Sequence, residues 1–100
     1  MIEIRHHIMP GVGLIVIDGH AGAGEYGSDV ICAAVSALTV TLAERLRRSD
    51  TKTGSGWAMI PYSRRARRER ESAEFAICGY RLLAEKFPEN VHYQEIRGDG

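Results

Sequence analysis

Residues 18–36, DGHAGAGEYGSDVICAAVS, decide how the first half of the chain folds. Residues 13–18 (GLIVID), which lead into this stretch, form a short apolar run rich in β-branched side chains. Such a run predicts a buried strand. Residues 19–28 hold four glycines, and ordering glycine costs much entropy, so we expect a loop that moves when no ligand is bound. Asp29 is the expected N-cap of a helix that runs to about Arg48.

The other predicted elements are strands at 2–8, around 51–53, at 57–62 (ending near Pro61) and at 91–96, and a second helix over 65–87. The order is therefore β-β-α-(β)β-α-β. Short connections favour antiparallel neighbours. We expect one α+β domain over residues 1–100, a two-layer sandwich of one mainly antiparallel sheet with two helices packed on one face. The last strand is expected at an exposed edge.

Each predicted helix has one apolar face that we expect to be buried. In the second helix Cys78 follows Ile77 directly and is expected in the core. The predicted core positions are Ile31, Val35, Leu38, Leu42 and Leu46 in the first helix, and Ala73, Ala76, Ile77, Tyr80, Leu83, Ala84 and Phe87 in the second.

Composition narrows the function classes. Thirteen basic residues balance thirteen acidic ones, which argues against nucleic acid as the main partner. No secretory signal and no run of membrane-spanning length is visible, so we expect a cytoplasmic protein with two reduced cysteines and no membrane partner. The histidines and cysteines show no metal-ligand spacing, and we expect neither a metal nor another cofactor.

Residues 64–70, RRARRER, carry a local charge of +4 at the start of the second helix, where cations oppose the helix dipole. A solvated face with salt links to nearby glutamates is the favoured interpretation, and docking to ribosomal RNA or to an acidic part of a substrate is the alternative. Trp57 and Tyr62 are expected to pack, although they are also candidates to line a groove for an aromatic segment.

Cys32 and His20 are the residue types that thiol catalysis needs. With Asp29 as the cap, Cys32 lies in the first helical turn, where the dipole and unpaired N–H groups favour a thiolate. His20 ends the second strand, and its near-neutral pKa suits a base that takes the thiol proton. Simpler interpretations stay open: Cys32 as a small core residue, His20 as a turn residue, and Asp29 as a cap alone.

One side of the first helix collects the candidate site residues. At about 100° per residue, Asp29, Cys32 and Ser36 fall within about 60° of one another, roughly 120° from the apolar stripe. This separation gives the helix one face for the core and another for a site. The alternative for Ser36 is a hydroxyl that bonds back to a helix carbonyl.

The same residues resemble the motif of the ribosomal-processing cysteine proteases, the Prp family. That motif places Gly-His and a glycine-rich loop before Gly-x-Asp-x-x-Cys-Ala-x-x-Ser on a helix. Residues 19–20 (GH) and 27–36 (GSDVICAAVS) match it, with twelve positions from His20 to Cys32. The strict motif covers about 18 residues, while the element order and the length agree across the rest of the chain.

The resemblance implies a cysteine endopeptidase with Cys32 as nucleophile and His20 as base. It implies a protein substrate, a large-subunit ribosomal protein cut after a short, hydrophobic, aromatic-rich N-terminal segment, and it implies a homodimer. Asp29 and Ser36 are candidates to bind substrate or orient the dyad, and unpaired amides at the helix start are the expected oxyanion donors. Gly19 and Gly27, which flank the loop, are the hinge candidates.

Three alternatives remain at this point. The substrate is a phage capsid or scaffold protein instead of a ribosomal one, because relatives of the family process such proteins. The chain binds the same kind of segment without cutting it. The chain is a thiol redox sensor, although Cys78 lies on another predicted helix and so does not offer a nearby resolving thiol.

Overall fold

The structure is a computed structural model that describes residues 1–19 and 26–98, with the backbone alone for residues 26–29. The elements, in chain order, are β1 (Ile2–Met9), β2 (Val12–Gly19), α1 (Tyr26–Leu46), β3 (Lys52–Gly54), β4 (Trp57–Ser63), α2 (Arg67–Lys86) and β5 (Val91–Arg97). The predicted order of strands and helices is confirmed, including the short strand before β4.

The five strands form one sheet in the order β3-β4-β2-β1-β5. Each neighbouring pair is antiparallel except β1 and β5, which are parallel because α2 carries the chain back to the start of β1. The amide of Ile2 donates to the carbonyl of Asn90 at 2.8 Å and fixes this return. The expected α+β sheet with two helices on one face is confirmed, and β5 is an edge strand as predicted.

Alternation along β1 shows which face the helices cover. Ile2, Ile4, His6 and Ile8 are all buried, whereas the residues between them are only partly covered. Both helices contribute to the same core. Its members are Ile2, Ile4, Ile15, Ile17, Ile31, Val35, Leu42, Leu46, Ala58, Ile60, Tyr62, Ala73, Ala76, Ile77, Tyr80 and Val91.

A buried polar contact joins the two helices within this core. The Thr39 hydroxyl donates to the carbonyl of Val35 at 2.7 Å and accepts from the Tyr80 hydroxyl at 2.8 Å. Burial raises the pKa of Tyr80 to about 12, so its hydroxyl is a proton donor at any physiological pH. The periodicity had assigned Leu38 to the buried stripe, but Leu38 is only partly buried and Thr39 takes the fully buried place.

Helix α1 begins at Tyr26, three residues before Asp29, the predicted cap. It ends at Leu46, and Arg47 after it takes a left-handed backbone with φ of 50°. The prediction that Asp29 is the N-cap and Gly27 a loop residue was therefore wrong. An aspartate suits the first helical turn as well as the cap, because its charge meets the positive end of the dipole in both places. The residue type alone does not separate the two positions.

The end of one strand and the burial of two residues also differ from the predictions. Strand β4 continues through Pro61 to Ser63, because β3 pairs with β4 only over residues 57–59 and leaves an open edge beside the proline. Cys78 is exposed, not in the core, because one residue step turns it about 100° away from buried Ile77. Phe87 follows the end of α2 and is also largely exposed.

The core becomes polar toward the far end of the sheet, around His6. The Tyr62 hydroxyl lies 2.6 Å from Nε2 of His6, and the Tyr93 hydroxyl lies 3.2 Å from Nδ1. Tyr93 donates to Glu95 at 3.0 Å, so its oxygen accepts from Nδ1–H, and Nε2 of His6 accepts from Tyr62. This chain of hydrogen bonds satisfies a neutral imidazole.

Folding stability is expected to fall as the pH drops below 6.5, through His6. Burial lowers the pKa of His6 from its ordinary 6.5, and Arg81, Arg64 and Arg97 lower it further against the raising effect of Glu95. The unfolded chain then binds a proton more readily than the folded one, so this contribution is complete above pH 6.5 and is lost on acidification.

Chemical denaturation at several pH values measures this effect. The His6→Gln variant keeps a donor and an acceptor, and we expect it to be less stable but flatter in its pH dependence below 6.5. An equal slope in both proteins would assign the pH dependence to other groups.

Candidate active site

Cys32 lies on α1 at the edge of the core, half-buried and in reduced form. Ile31 beside it points fully into the core, and Ser36, one turn further along, is exposed. The sulfur therefore sits at the boundary between packed interior and solvent. This is where a thiol is held in place by its neighbours and still reached by another molecule.

A cavity of about 250 Å³ opens beside Cys32, between α1 and the β3–β4 end of the sheet. Cys32 and Ser36 line it from the helix. Buried apolar side chains from three strands and from α1 also border the cavity, and Thr53 and Gly56 border it from the β3–β4 hairpin. The apolar members of the lining are Ile2, Ile17, Val35, Val40 and Ala58.

Gly19, the last residue of β2, lines the same cavity as Cys32. Its amide donates to the carbonyl of Gly56 at 2.9 Å, and its φ is 98°, which L side chains rarely adopt. A Cβ at this position would lie 2.4 Å from the carbonyl oxygen of Met1. Only glycine fits here, so the predicted hinge residue is held between the start of β1 and the β3–β4 turn.

The other predicted site residues have different outcomes. His20 and the loop up to residue 25 lie outside the described residues, as does the side chain of Asp29. Gly27 lies in the first turn of α1. Cys32, Ser36 and Gly19 are thus brought to one cavity, and Gly19 is the residue directly before His20 in the sequence.

The earlier start of α1 moves Cys32 from the first turn to the second, as the seventh residue of the helix. The amides without an intrahelical acceptor belong to residues 26–29, one turn before Cys32. The prediction that these amides flank the thiol, as oxyanion donors, was therefore wrong. The positive end of the helix dipole acts mainly within the first turn, so it lies one turn before Cys32.

Sequence reasoning missed the part that the β3–β4 hairpin plays. The turn-rich stretch SDTKTGSG at 49–56 predicted a short strand but gave no sign that Thr53, Gly54 and Gly56 border the cavity. Trp57 borders it too, but its indole lies over Gly54, where a Cβ would come within 2.2 Å of Nε1. Tyr62 packs in the core and bonds His6, as the packing interpretation expected.

The arginines of residues 64–70 are mostly occupied by the protein itself. Arg67 pairs with Glu71 at 2.9 Å, as the solvated-face interpretation expected. Glu69 instead pairs with Arg48 and accepts the amide of Ser63, which holds the pKa of Glu69 below its ordinary value despite partial burial. Arg68 and Arg70 donate to main-chain carbonyls.

Two other kinds of feature are absent from the described residues, a metal-binding cluster and a membrane-spanning helix. No group of three or more histidine, cysteine or acidic side chains there is arranged to hold a metal ion. No described helix is long and apolar enough to cross a membrane.

Comparison with known proteins adds the family. The family model described as cysteine protease Prp matches residues 1–92. No curated protein matches the chain.

Solved structures resemble the fold over nearly the whole chain. Protein SMU.848 from Streptococcus mutans is 27% identical, with a TM-score of 0.81, covering 98% of this chain and 96% of that one. A structure described as an essential ribosomal processing protease Prp from S. aureus, with a covalently linked product peptide, is 21% identical with a TM-score of 0.82. The same protease with a substrate peptide is 20% identical with a TM-score of 0.77, and each of the two covers 96% of this chain and 100% of its own.

The Gly19→Ala variant is expected to lose about 1–3 kcal/mol of folding stability, because alanine disfavours a φ of 98° and its Cβ meets the Met1 carbonyl. The matched control is Gly98→Ala, whose Cβ would meet the flexible side chain of Met9 at 3.1 Å and the Ile8 carbonyl oxygen no closer than 3.8 Å. Urea denaturation of both variants measures the difference. Equal stability of the two variants would show that Gly19 is not held as described.

Proposed function

Because the chain belongs to the cysteine protease Prp family and is a cysteine protease, we propose that it removes a short N-terminal extension from a large-subunit ribosomal protein. Cys32 is the nucleophile and His20 is the base in this proposal. Residues 1–100 act as one catalytic domain.

The observation that carries the proposal is the shared cavity of Cys32 and Gly19. Cys32 is half-buried and lines this cavity, and Gly19, which borders it too, is the residue directly before His20 in the sequence. No other described cysteine borders this cavity, since Cys78 lies on α2. The arrangement therefore supports a Cys32–His20 pair.

The chemistry is acyl transfer in two stages. His20 takes the thiol proton, and the Cys32 sulfur attacks the scissile carbonyl carbon and forms a C–S bond. The C–N bond breaks as His20 gives its proton to the leaving amine. Water, deprotonated by His20, then cleaves the thioester and releases the new carboxyl end together with the free thiol.

The lining of the cavity supports a hydrophobic substrate segment. Ile2, Ile17 and Ala58 form an apolar floor beside the sulfur, and peptide side chains that cover such a floor gain about 25 cal/mol for each Å² of apolar surface buried. The structurally similar S. aureus protease is solved with a substrate peptide and with a covalently linked product peptide. In this proposal the segment is aromatic-rich and precedes the cut.

The remaining site residues have supporting roles in the proposal. Ser36 is exposed one turn from Cys32 and offers a hydroxyl to the peptide backbone. Asp29, one turn on the other side of Cys32, orients His20. Gly19 sets the course of the chain at the end of β2 in this proposal, because its φ of 98° suits glycine alone.

The proposal also places this enzyme in the cytoplasm as a homodimer that needs no cofactor and has no nucleic acid as its main partner. Helix α1 has no charged side chain over residues 30–43, and Val40 on it is 67% exposed. Phe75 on α2 is 79% exposed beside an apolar groove between the helices, which Arg45 and Glu71 border with opposite charges. A face with a projecting ring, a groove and both charges can complement a second copy of itself.

The Phe75→Lys variant is expected to be monomeric where the unmodified protein is dimeric, because a charge would enter the apolar contact. Sedimentation velocity at several concentrations measures this change. Leu82→Lys serves as a control, because Leu82 is likewise an exposed apolar residue of α2 but lies outside the groove. If the Phe75→Lys variant is still a dimer, this face is not the dimer interface.

Two other functions fit parts of the site. The substrate is a phage capsid or scaffold protein if its N-terminal segment has the same apolar character. A non-catalytic binding module would use the same cavity but would need no thiol. A redox sensor finds less support, since Cys32 and Cys78 border different cavities and no disulfide joins them.

The Cys32→Ala variant is expected to lose at least about 10³-fold in cleavage of a peptide that carries a hydrophobic, aromatic-rich segment. His20→Ala is expected to lose about 10²–10⁴-fold, the range for a general base. Cys78→Ala is the matched control and is expected to cleave at the unmodified rate. Turnover by Cys32→Ala equal to that of the unmodified protein would end the proposal.

Mass spectrometry separates the remaining alternatives. In cells that lack this gene, the ribosomal protein is expected to keep its N-terminal extension, and restoring the gene is expected to remove it. A partner that binds Cys32→Ala and the unmodified protein equally, with its mass unchanged by either, would identify a binding module instead. Cleavage of only a phage structural protein would identify the other substrate.

A further inference from the structure

A second and larger cleft, of about 770 Å³, lies between α2 and the opposite end of the sheet. It shares no lining residue with the cavity of Cys32. Ile2 borders the first cavity and Ile8 the second, and six residue steps along β1 separate them by roughly 20 Å. The second cleft is therefore a separate feature of the molecule, which the proposed protease mechanism does not use.

Five arginines from three parts of the chain line this cleft. They lie in the segment before α2, in α2 and in β5, and three glutamates line the cleft with them. The arginines are Arg64, Arg65, Arg70, Arg81 and Arg97, and the glutamates are Glu74, Glu85 and Glu95. The lining thus has a formal surplus of two positive charges in a chain whose total is zero.

The protein neutralises only part of this charge. Arg81 and Arg97 both pair with one carboxylate, that of Glu95. Arg64 donates to the carbonyl of Met9 at 2.7 Å and Arg70 donates to the carbonyl of Arg64 at 3.0 Å, which satisfies donors without cancelling charge. Within the described residues, no salt bridge involves Arg64, Arg65 or Arg70.

Two of these three arginines lie against the turn between β1 and β2. The Arg65 guanidinium lies 3.0 Å from the point where a Cβ on Gly11 would be, and the Arg64 amide donates to the Gly11 carbonyl at 3.0 Å. Gly11 has a φ of 76°, so this turn needs glycine for its backbone, and the missing side chain also leaves room for Arg65. The guanidinium groups are therefore packed into place against the turn.

The chemistry of the lining favours a phosphate group as the ligand. Each guanidinium presents a planar fork of donors that matches two oxygens. Glu95 shows that two arginines already suffice for a carboxylate, whereas Arg64, Arg65 and Arg70 together match a group with three terminal oxygens and up to two charges. The buried Tyr62 and His6 form a polar floor below them.

The same lining favours a small ligand over a long polyanion. Glu74, Glu85 and Glu95 stand along the cleft and would repel successive phosphates of a nucleic acid strand. The volume lies in the range of pockets for small ligands, and Ile8, Ile77 and Leu82 offer apolar contacts to the rest of the molecule.

We propose that this cleft binds the phosphate group of a small phosphorylated ligand through Arg64, Arg65 and Arg70. The site is independent of Cys32 and His20. Three arginines of the charged run at residues 64–70 thus have a role that the proposed peptidase site does not give them.

Isothermal titration tests the proposal with inorganic phosphate, pyrophosphate and adenosine monophosphate as probes, at about 150 mM salt to screen diffuse attraction. The test variant is Arg64→Gln with Arg65→Gln. The matched control is Arg67→Gln with Arg68→Gln, which removes the same charge from the same run outside the cleft. Arg65→Gln alone is the second variant, because the structure gives its side chain no hydrogen bond within the protein that folding would lose.

We expect saturable binding of at least one probe, weakened about tenfold in the test variant and by Arg65→Gln, and unchanged in the control. Tighter binding of adenosine monophosphate than of phosphate would show that the apolar lining contacts the organic part of the ligand. Equal binding of the two would show that the ligand is free phosphate. Absence of binding, equal weakening in test and control, or tighter binding of polyuridylate or polyglutamate would overturn the proposal. Peptide cleavage by Arg65→Gln is expected at the unmodified rate, so this test and that of the protease fail separately.

Discussion

The placement of Gly19 is the constraint on which the site depends. Eight register pairs align β1 with β2 and end at Ile2 opposite Gly19, and the Gly19 amide is also tied to Gly56 in the β3–β4 turn. The close carbonyl of Met1 excludes any side chain at this point. The strand end that leads to His20 is therefore fixed from two sides, and α1 returns on the same face of the sheet with Cys32 at the cavity. The sheet thus brings Gly19, the residue before His20 in the sequence, to the cavity that Cys32 lines thirteen positions further along the chain.

The covered face of the sheet divides the molecule into two ends with different chemistry. Around Ile2, Ile17 and Ala58 it is apolar, and the Cys32 cavity opens there. Around His6 it is polar, with a chain of hydrogen bonds from Tyr62 to Glu95, and the arginine-lined cleft opens there. Burying an imidazole in a core costs free energy unless both nitrogens are bonded, and here both are. The polar end of the core therefore keeps its buried groups satisfied.

The sequence predicted most of the fold because most of its signals are local. The run GLIVID and the apolar steps from Ile31 to Leu46 each carry a local pattern, and each element formed close to its predicted place. The errors arose where a residue type suits two positions. Asp29 fits a cap and a first turn equally, and Cys78 has the polarity of a core residue but the wrong angle on its helix. The His6 network was not predictable, because its partners lie 56 and 87 residues away in the chain.

The most direct test of the account is whether one small reagent can bridge Cys32 and His20 in the folded protein. Dibromoacetone has two electrophilic carbons joined by a single carbonyl, so it links a thiol to an imidazole only when the two groups already lie side by side. After reaction of the Cys78→Ala variant, digestion and mass spectrometry should find the peptides of Cys32 and His20 joined by one acetone bridge. A Cys32 that is alkylated without any link to His20, or that is bridged to a different residue, would contradict the account.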